Sequence, residues 1–484
     1  MFSHKQRHFV VFITVMIFGL LLIQGSQVNA NALNWLFPNE PKEEDVLTDE
    51  DKQIIEDTYN IIQTSYIKEV DKTKLLQGAL KGMVNALEDP YSEFLTEKES
   101  EVYDETIEGT FHGVGIQFML EGENVKVITA IDGTPDSEAG IQPNDIILKA
   151  DDKTLKGMNT SEIVNLIRGP LDSEVVLTIQ RADETIEVPL KRAEIPIETV
   201  TGEIDKNEKT IAHIKMTQFN STTYDEMVDT IEEMRKKGAE KFVFDLRYNP
   251  GGLLDQALMI SNMFLKDGDI IMSVEEGSGK TTKYTADDRK YGDFQVDEPF
   301  VLLINDGSAS ASEILAGTIK ENTEAPIVGI KSFGKGTVQN FPASNYLGEL
   351  KLSVAKWLLP SGLWINEAGI KPTVTAEPSK IEKILAFDPK ETLEEGSLSS
   401  RVESLTVILE TFGYLDKSGK NFDAKVTDAV KKYQTDKKLT VDGKVGQETM
   451  TQLMTDVRDY YKENDSQYDK AVETLLSLEE QKAA

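Results

Sequence analysis

The chain has 484 residues, too many for one ordinary hydrophobic core, so several domains are expected. Its formal net charge of −32 argues against nucleic acid and anionic lipid as partners, because both repel an acidic surface. The chain has no cysteine, which excludes disulfides, thiolate metal sites and a cysteine nucleophile.

The N-terminus has the pattern of an export signal. Lys5 and Arg7 precede Phe9–Ile23, an uncharged and mostly apolar run, and Val28-Asn29-Ala30 offers the small residues that a signal peptidase accepts. The run has 15 residues, short of the roughly 20 that span a bilayer, so cleavage after Ala30 is favoured over a retained anchor. We therefore expect an exported protein at the extracytoplasmic face of a bacterial membrane, secreted or membrane-associated, with residues 1–30 as signal peptide or anchor.

Residues 46–98 carry apolar side chains three or four positions apart, which predicts two amphipathic helices. Thr48-Asp-Glu-Asp51 partly matches a capping box at the start of the first helix, with Asp in place of Glu at the fourth position. The apolar faces of these helices need a partner, either the body of the molecule or a second copy of the chain.

From about residue 107 the pattern changes to short β-branched runs, which predicts a small β-rich module. Its strands are expected at Val125–Ala130, Ile146–Ala150 and Val175–Gln180, with one helix at Ser161–Arg168. Between 200 and 376, strands alternate with helices, which predicts βαβ crossovers in a mixed or parallel sheet. The expected segments there are Ile211–Met216, Tyr224–Lys236, Lys241–Leu246, Leu253–Phe264, Phe300–Asn305 and a helix from Ala311.

The C-terminal part divides into three segments. Residues 377–398 are polar and acidic and carry two prolines, which predicts a linker. Residues 399–456 are expected to form a compact helical unit, and residues 457–484 an acidic helical tail.

Ser310 and Lys335 are the candidate nucleophile and general base. Ser310 lies between an apolar run that ends at Asn305 and a helix that begins at Ala311, so it is expected on a strand-to-helix turn. A serine hydroxyl needs a partner that takes its proton, and a desolvated lysine can be that partner. The competing interpretation is that Ser310 only caps the helix, because Ser310 and Glu313 fit a capping box.

Lys335 stands between two glycines, which allow close backbone approach; the competing interpretation is an exposed lysine in a flexible loop. Gln339 lies four residues further on, a spacing that places both side chains on one face of either a strand or a helix. His213 lies in an apolar strand and is interpreted as a structural residue. If Lys335 is the base, the rate is expected to rise with pH as its ammonium loses a proton.

Gly251 and Gly252 follow an apolar strand and open a helix, so their N–H groups suit an oxyanion hole. The amide of Ala311 is a second candidate donor to the oxyanion. A phosphate cradle is the competing interpretation, although the segment matches neither of the usual glycine-rich phosphate motifs. No spacing of acidic residues indicates a metal site or a glycosidase pair, and no cofactor is expected.

Five segments of the chain carry further motifs: Ala86-x-x-Asp89-Pro-Tyr-Ser92, Gly113-Val-Gly-Ile116, Asp245-Leu-Arg-x-Asn-Pro-Gly-Gly252, Ser308-Ala-Ser-Ala-Ser312-Glu and Phe333-Gly-Lys-Gly-Thr-Val-Gln339. They resemble the motifs of the C-terminal processing, or tail-specific, serine peptidases, in the same order. The resemblance implies a multidomain α/β chain with a mixed-sheet βαβ, ClpP/crotonase-like protease core at residues 196–376. It implies Ser310 as nucleophile, Lys335 as general base and Gln339 as the residue that orients the lysine. It also implies an oxyanion hole from Gly252 and Ala311, with the choice between Gly251 and Gly252 open.

The same resemblance implies an N-terminal helical region at residues 46–98 and an inserted PDZ domain at residues 107–190. Gly113, Val114, Gly115 and Ile116 would form the loop whose amides receive a peptide C-terminus while the peptide adds a strand to the domain edge. Arg168 could sense that peptide or contact the protease core, or be a solvated helix-end charge, which is slightly favoured.

Residues 399–456 resemble a peptidoglycan-binding-like domain, which binds wall polymer or serves only for packing. The whole arrangement is most similar to the CtpB-type processing proteases of spore-forming bacilli. By analogy, this implies a homodimer and proteolytic signalling during sporulation, in the space between two membranes.

We therefore expect an exported serine endopeptidase that cleaves proteins recognised through their accessible C-termini. The rival interpretation is a catalytically inactive exported PDZ scaffold with a cell-wall-binding tail. A third class, an acyl-thioester enzyme of related topology, has little use for a PDZ domain.

Overall fold

The computed structural model describes residues 46–130, 134–142, 144–181, 184–385, 387, 391–461 and 463–483. The expected signal peptide or anchor lies outside these residues. Within them, no helix combines the length and the apolar character needed to cross a membrane.

The helices of the described residues fall mainly in the N-terminal region, around the central sheet and at the C-terminal end. They are α1 Asp49–Ser65, α2 Lys72–Asn85, α3 Glu97–Glu108, α4 Pro135–Glu138, α5 Thr160–Ile167, α6 Thr223–Lys236, α7 Leu254–Asn262, α8 Asp288–Tyr291, α9 Ala311–Asn322, α10 Ser400–Thr411, α11 Ala424–Asp436, α12 Gln447–Tyr461 and α13 Ser466–Ala483.

The strands lie between residues 93 and 375. They are β1 Glu93–Leu95, β2 Thr110–Gly113, β3 Ile116–Glu121, β4 Asn124–Ala130, β5 Ile146–Ala150, β6 Lys153–Thr154, β7 Glu174–Arg181, β8 Glu184–Lys191, β9 Ala193–Pro196, β10 Val200–Ile204, β11 Ile211–Met216, β12 Lys241–Asp245, β13 Ile270–Glu276, β14 Thr281–Thr285, β15 Phe300–Ile304, β16 Ile327–Gly329, β17 Thr337–Asn345, β18 Gly348–Leu358 and β19 Val374–Thr375.

The chain divides into two compact units. Of the described residues, the smaller unit contains 46–96 together with Glu276–Lys280 and Gln339–Ser353, and the larger unit contains the others. In the smaller unit, β1 pairs antiparallel with the first part of β18, and a small apolar cluster forms around Val84 and Phe94.

Helix α1 begins at a complete capping box. The Thr48 hydroxyl accepts the Asp51 N–H at 3.1 Å, and the Asp51 carboxylate accepts the Thr48 N–H at 2.8 Å, so Asp serves where Glu is usual. No residue of α1 is buried, and Ile54 and Ile61 are each more than half exposed. The predicted helix is therefore present, and its apolar face is uncovered within the described residues of this chain.

In the larger unit, helix α3 is followed by a β-rich module, as the β-branched runs predict. Its sheet has the strand order β3-β4-β5-β7-β8, and it encloses a core that includes Val127, Ile147, Ile163 and Leu177. Helix α5 begins at Thr160, directly after Asn159, whose side chain caps it. Strand β3 lies at one edge of the sheet, so its outer side is open to a further strand.

The central sheet has the strand order β10-β11-β12-β15-β16-β19. Strand β10 is antiparallel to β11 and the remaining pairs are parallel, so the predicted mixed sheet is confirmed. One face carries side chains such as Phe242 and Leu302 and packs against α6, α7 and α9. The opposite face carries Val243 and Leu303 and packs against α13. Helix α13 therefore completes a three-layer arrangement around this sheet.

Helices α10, α11 and α12 pack around a separate core. It includes Val402, Leu405, Tyr433 and Leu453, each less than 1% exposed. The buried Tyr433 hydroxyl donates to Asp456 at 2.8 Å. This helical unit thus has an interior of its own, distinct from the cluster beneath α13.

Candidate active site

Ser310 lies at a sharp turn between β15 and α9, where it is the N-terminal cap residue of the helix. Its φ of 53° and ψ of −113° are rare for a residue with a side chain, so the turn is strained. A strained strand-to-helix turn is the geometry that presents the nucleophilic serine in α/β-hydrolases. The predicted position of Ser310 at a helix N-terminus is present in the structure.

Glu313 connects the Ser310 turn to the loop that carries Lys335. Its carboxylate accepts the Ser310 N–H at 3.0 Å, which is the glutamate half of the expected capping box. It also accepts the Lys335 N–H at 2.8 Å, the Gly334 N–H at 2.7 Å and the Ser332 hydroxyl at 2.6 Å. Burial raises the pKa of Glu313, and the donated hydrogen bonds oppose that rise. Sequence analysis noted Glu313 only as a cap.

The backbone around Lys335 is held by indole groups as well as by Glu313. Trp357 Nε1 donates to the Lys335 carbonyl at 2.8 Å, and Trp364 Nε1 donates to the Gly336 carbonyl at 2.7 Å. A Cβ at Gly336 would lie 2.7 Å from Trp364 Nε1, so the indole approach requires glycine there. Lys335 is half-buried. The loop is thus fixed, in disagreement with the interpretation of an exposed lysine in a flexible loop.

Gln339 lies on β17 in the smaller unit and is half-buried. Its Nε2 donates to the Ser353 hydroxyl at 3.1 Å, and the Ser353 N–H donates to the Ser92 hydroxyl at 3.0 Å. Ser92 in turn donates to Asp89 at 2.5 Å, so two residues of the first resembling motif support this strand. Lys335 precedes β17 and lies in no helix, which makes the helical alternative for this spacing wrong.

Gly251 lies against the Ser310 turn. A Cβ at Gly251 would lie 2.8 Å from both Ser310 Cβ and the Ala311 nitrogen. With a φ of 97°, Gly251 also has a backbone conformation that favours glycine. Its own N–H donates to Asn249 Oδ1 at 2.9 Å, so that amide is already in use. Of the two glycines, Gly251 is therefore one whose amide already has a hydrogen-bond partner.

Asn249 links the glycine turn to the Ser310 turn. Its carbonyl accepts the Ala309 N–H at 3.0 Å and the Ser312 hydroxyl at 2.9 Å, while its Nδ2 donates to the Met216 carbonyl at 3.1 Å. Asn249 is fully buried. Sequence analysis missed this role, although the position of Asn249 directly before the Pro-Gly-Gly segment was a usable signal.

A buried charged cluster lies at the end of β12. The Asp245 carboxylate accepts hydrogen bonds from His213 Nε2 at 3.1 Å and from Arg247 Nε at 2.9 Å. Burial pushes the pKa of Asp245 upward, but the His213 hydrogen bond and the Arg247 charge outweigh it and hold that pKa below its usual value. His213 also packs against the Tyr468 ring, with 4.4 Å between ring centroids. These contacts agree with a structural role for His213.

The loop Gly113–Ile116 connects β2 to the edge strand β3. Val114 is buried, and its carbonyl accepts the Asp136 N–H at 3.0 Å. Gly115 has a φ of 99°, and a Cβ there would lie 2.5 Å from Asp136 Oδ1. The loop is therefore shaped by close backbone approach, and it leads directly into the edge strand β3.

Arg168 follows α5 and contacts the segment that leads into the module. Its guanidinium lies 3.4 Å from the Glu105 carboxylate and 4.0 Å from the centroid of the Phe111 ring. These contacts replace the interpretation of Arg168 as a solvated helix-end charge. The described residues contain no cluster of His, Cys, Asp and Glu that could hold a metal ion.

Comparison with known proteins gives four family matches along the chain. The model described as peptidase family S41 matches residues 210–376, and the PDZ domain model matches residues 127–181. The putative peptidoglycan binding domain matches residues 399–453, and the activating protease CtpB N-terminal domain matches residues 18–99.

Curated relatives match over most of the chain. The carboxy-terminal processing protease CtpA of Bacillus subtilis is 38% identical over 418 residues, which are 86% of this chain and 88% of the relative. The chain belongs to peptidase family S41. A probable CtpA-like serine protease of Staphylococcus aureus is 34% identical over 87% of this chain and 84% of its own length.

Membership of family S41 makes this protein a serine peptidase of the carboxy-terminal processing group, with a PDZ domain and a peptidoglycan-binding-like domain. These features are those of an extracytoplasmic protein. Among solved structures, the photosystem II D1 C-terminal processing protease aligns with 71% of this chain and 96% of its own, at 24% identity and a TM-score of 0.40.

Proposed function

We propose that this S41 peptidase is an endopeptidase that uses Ser310 as nucleophile and Lys335 as general base. The observation that carries the proposal is the shared Glu313 carboxylate, which accepts backbone N–H groups from both residues. Because the two residues lie 25 positions apart in sequence, this contact supports their acting in one site.

The reaction begins when Ser310 Oγ attacks the scissile carbonyl and its proton passes to the neutral amine of Lys335. The Gly252 and Ala311 amides stabilise the oxyanion, a role supported by the close approach of Gly251 to the Ser310 turn. Lys335 then gives the proton to the leaving amine, and water hydrolyses the acyl-enzyme. The family resemblance assigns Gln339 the orientation of the lysine.

The test is turnover of casein and of a fluorogenic peptide by Ser310→Ala and Lys335→Ala variants. Both variants are expected to lose activity and to keep the unfolding temperature of the parent protein. Lys331→Ala is the matched control, because Lys331 is an exposed lysine of the same loop. Robust turnover by Lys335→Ala would contradict the base assignment. With chemistry rate-limiting, a flat profile from about pH 5 to 9 would contradict it as well.

Substrates are proposed to dock through their C-termini on the PDZ module. The amides of residues 113–116 would receive the terminal carboxylate, and the peptide would pair with the open edge of β3. A peptide with a free carboxylate is expected to bind more tightly than its amidated form in fluorescence anisotropy. Equal affinity of the two forms would overturn this proposal.

The proposed assembly is a homodimer in which α1 packs against a second copy of the chain. Support comes from the apolar residues of α1, since Ile54 is 59% and Ile61 is 62% exposed. Ile61→Glu is expected to shift the mass measured by light scattering from dimer to monomer, whereas Glu50→Gln is not. A monomeric parent protein at micromolar concentration would refute the proposal.

Regulatory processing during sporulation, in the space between two membranes, is proposed by analogy. Its support is the match of residues 18–99 to the activating protease CtpB N-terminal domain. Peptidoglycan is the proposed polymer partner of residues 399–453. Proteomic comparison of sporulating cells with and without Ser310→Ala would reveal substrates that accumulate, and sedimentation with purified walls would reveal polymer binding. The absence of an accumulating protein, or of cosedimentation, would contradict the respective proposal.

A further inference from the structure

Helix α13 lies outside all four matched family models, yet it covers one face of the catalytic sheet. Ala471 and Leu475 are both fully buried, and they pack among Val243, Val301 and Leu303 from the parallel strands. Their spacing places them on one side of the helix. This side is therefore part of the interior of the protease core.

The start of α13 also reaches the catalytic end of the sheet. Asp465 lies directly before the helix. Its carboxylate accepts hydrogen bonds from both terminal nitrogens of Arg247, from Nη1 at 2.8 Å and from Nη2 at 2.6 Å. Arg247 Nη2 also contacts Asp245 at 2.6 Å, so the guanidinium lies between two carboxylates. The Arg247 side chain is only 9% exposed. A buried guanidinium that makes two parallel hydrogen bonds to a carboxylate is held in one orientation.

Further contacts fix the helix start in this position. Gln467 is buried, and its Nε2 donates to the Ala376 carbonyl at 2.7 Å. The Tyr468 hydroxyl donates to Asp205 at 3.0 Å, and its ring packs against His213. The contact between Asp465 and Arg247 is thus one part of a continuous docking surface.

From this geometry we infer that Asp465 is a positioning residue for the oxyanion turn. Arg247 lies between the end of β12 and the turn that contains Gly251 and Gly252, and its N–H donates to Asp245 at 2.9 Å. By binding the guanidinium, Asp465 fixes the position of Arg247 and so the start of the turn that follows β12. This inference rests on the proposed function, because it gives the turn a role in catalysis.

Asp465 can be substituted by another polar residue without burying a polar group away from water. Its side chain is 34% exposed and borders a cavity of about 320 Å³ that is also lined by Lys215 and Tyr461. An asparagine at position 465 would be hydrated from this cavity, but it would carry no charge and could not accept two parallel hydrogen bonds from Arg247. Asp465→Asn therefore tests positioning with little change in packing.

The experiment compares Asp465→Asn, Leu475→Ala and Glu473→Gln in the full chain. Glu473→Gln is the control, because Glu473 is exposed on the same helix. For each variant we would measure kcat and KM on a fluorogenic peptide, the Ki of a peptide boronate and the unfolding temperature. The boronate forms a tetrahedral adduct with serine, so its affinity reports on the oxyanion turn.

Asp465→Asn is expected to lower kcat by about 10- to 100-fold and to raise the boronate Ki by a similar factor, with KM changed by no more than about threefold. Leu475→Ala is expected to lower the unfolding temperature more than Asp465→Asn while keeping kcat at temperatures well below unfolding. Glu473→Gln is expected to change none of these quantities.

An Asp465→Asn variant with parental kcat and boronate affinity would overturn the inference. Losses of kcat that follow the unfolding temperature equally in Asp465→Asn and Leu475→Ala would also overturn it, because they would indicate stability alone. An inactive Ser310→Ala beside a fully active Asp465→Asn would reject only this inference. An active Ser310→Ala would reject the proposed function itself.

Discussion

The Glu313 carboxylate accepts the backbone N–H of Lys335 at 2.8 Å. The same oxygen accepts the Ser310 N–H at 3.0 Å, so one buried atom fixes the backbone of the proposed base relative to that of the proposed nucleophile. Ser310 and Lys335 each contribute a main-chain N–H to this contact, and Glu313 contributes its side-chain carboxylate. The backbone of Lys335 is therefore held by a hydrogen bond that does not involve its own amine.

Glu313→Gln is expected to lower kcat by roughly 100-fold or more. The glutamine side chain carries an NH2 group in place of one carboxylate oxygen, and this group is a donor that cannot accept hydrogen bonds from the donors facing it. Each buried N–H left unpaired costs about 1–3 kcal/mol, which favours separation of the two loops. Peptide hydrolysis measures this loss. Glu321→Gln, at an exposed position of the same helix, is the control, and an equal loss in both variants would contradict the prediction.

Gly251→Ala is expected to abolish most activity, because its Cβ would lie 2.8 Å from the Ala311 nitrogen and would displace the Ser310 turn. Gly268→Ala is a matched control, since Gly268 has nearly the same φ, 95° against 97°, but has open space around it. Both variants carry backbone strain of order 1 kcal/mol, and only Gly251→Ala adds the clash. Equal catalytic losses would refute the proposed contact.

Gly115→Ala is expected to weaken binding of a C-terminal peptide by about tenfold, because a Cβ there would contact Thr134 and Asp136 and shift the binding loop. Gly122→Ala, in the open turn between β3 and β4, is the control. Fluorescence anisotropy with a free-carboxylate peptide measures the change. Unaltered affinity of Gly115→Ala would remove the assigned role of this loop.

The free energy of unfolding is expected to fall as the pH drops below about 4, the ordinary pKa of aspartate in an unfolded chain. The folded pKa of Asp245 is lower than this value, so its contribution to stability is present above about pH 4 and is lost as the pH falls toward the folded pKa. Urea unfolding of Asp245→Asn should show a deficit of about 3–5 kcal/mol at pH 7 that shrinks in acid.

The comparison for this experiment is Asp229→Asn, at an exposed position of α6. Its unfolding curve is expected to follow the parent protein at every pH, because an exposed carboxylate gains little from folding. A deficit of Asp245→Asn that stays constant between pH 3 and 7 would contradict the assignment.

Much of the central sheet could be predicted from sequence because its strands are short apolar runs buried on both faces. Strand Ile211–Met216 has the predicted bounds, and α9 begins at Ala311 as expected. The antiparallel pair β13 and β14 was not predicted, because much of β14 is polar and exposed and gives no strong period. Local pattern therefore identifies buried strands better than exposed ones.

The candidate site shows the same limit. The turn of Ser310 follows from the strand before it and the helix after it, and both are local signals. The contact of Glu313 with Gly334 joins residues 21 positions apart, and the contact of Asp465 with Arg247 joins residues 218 apart. Such pairings depend on how the sheet is assembled, which neither composition nor periodicity encodes.

Helix α13 has a consequence for the order of events during synthesis. Ribosomes make the strands β11, β12 and β15 long before they make Ala471 and Leu475, which cover those strands. Until then one side of the sheet exposes apolar surface, and Arg247 lacks one of its two carboxylate partners. A nascent chain that has not yet reached Leu475 thus lacks part of the interior of its core, and we expect this face of the sheet to finish packing only after residues 466–475 have been made.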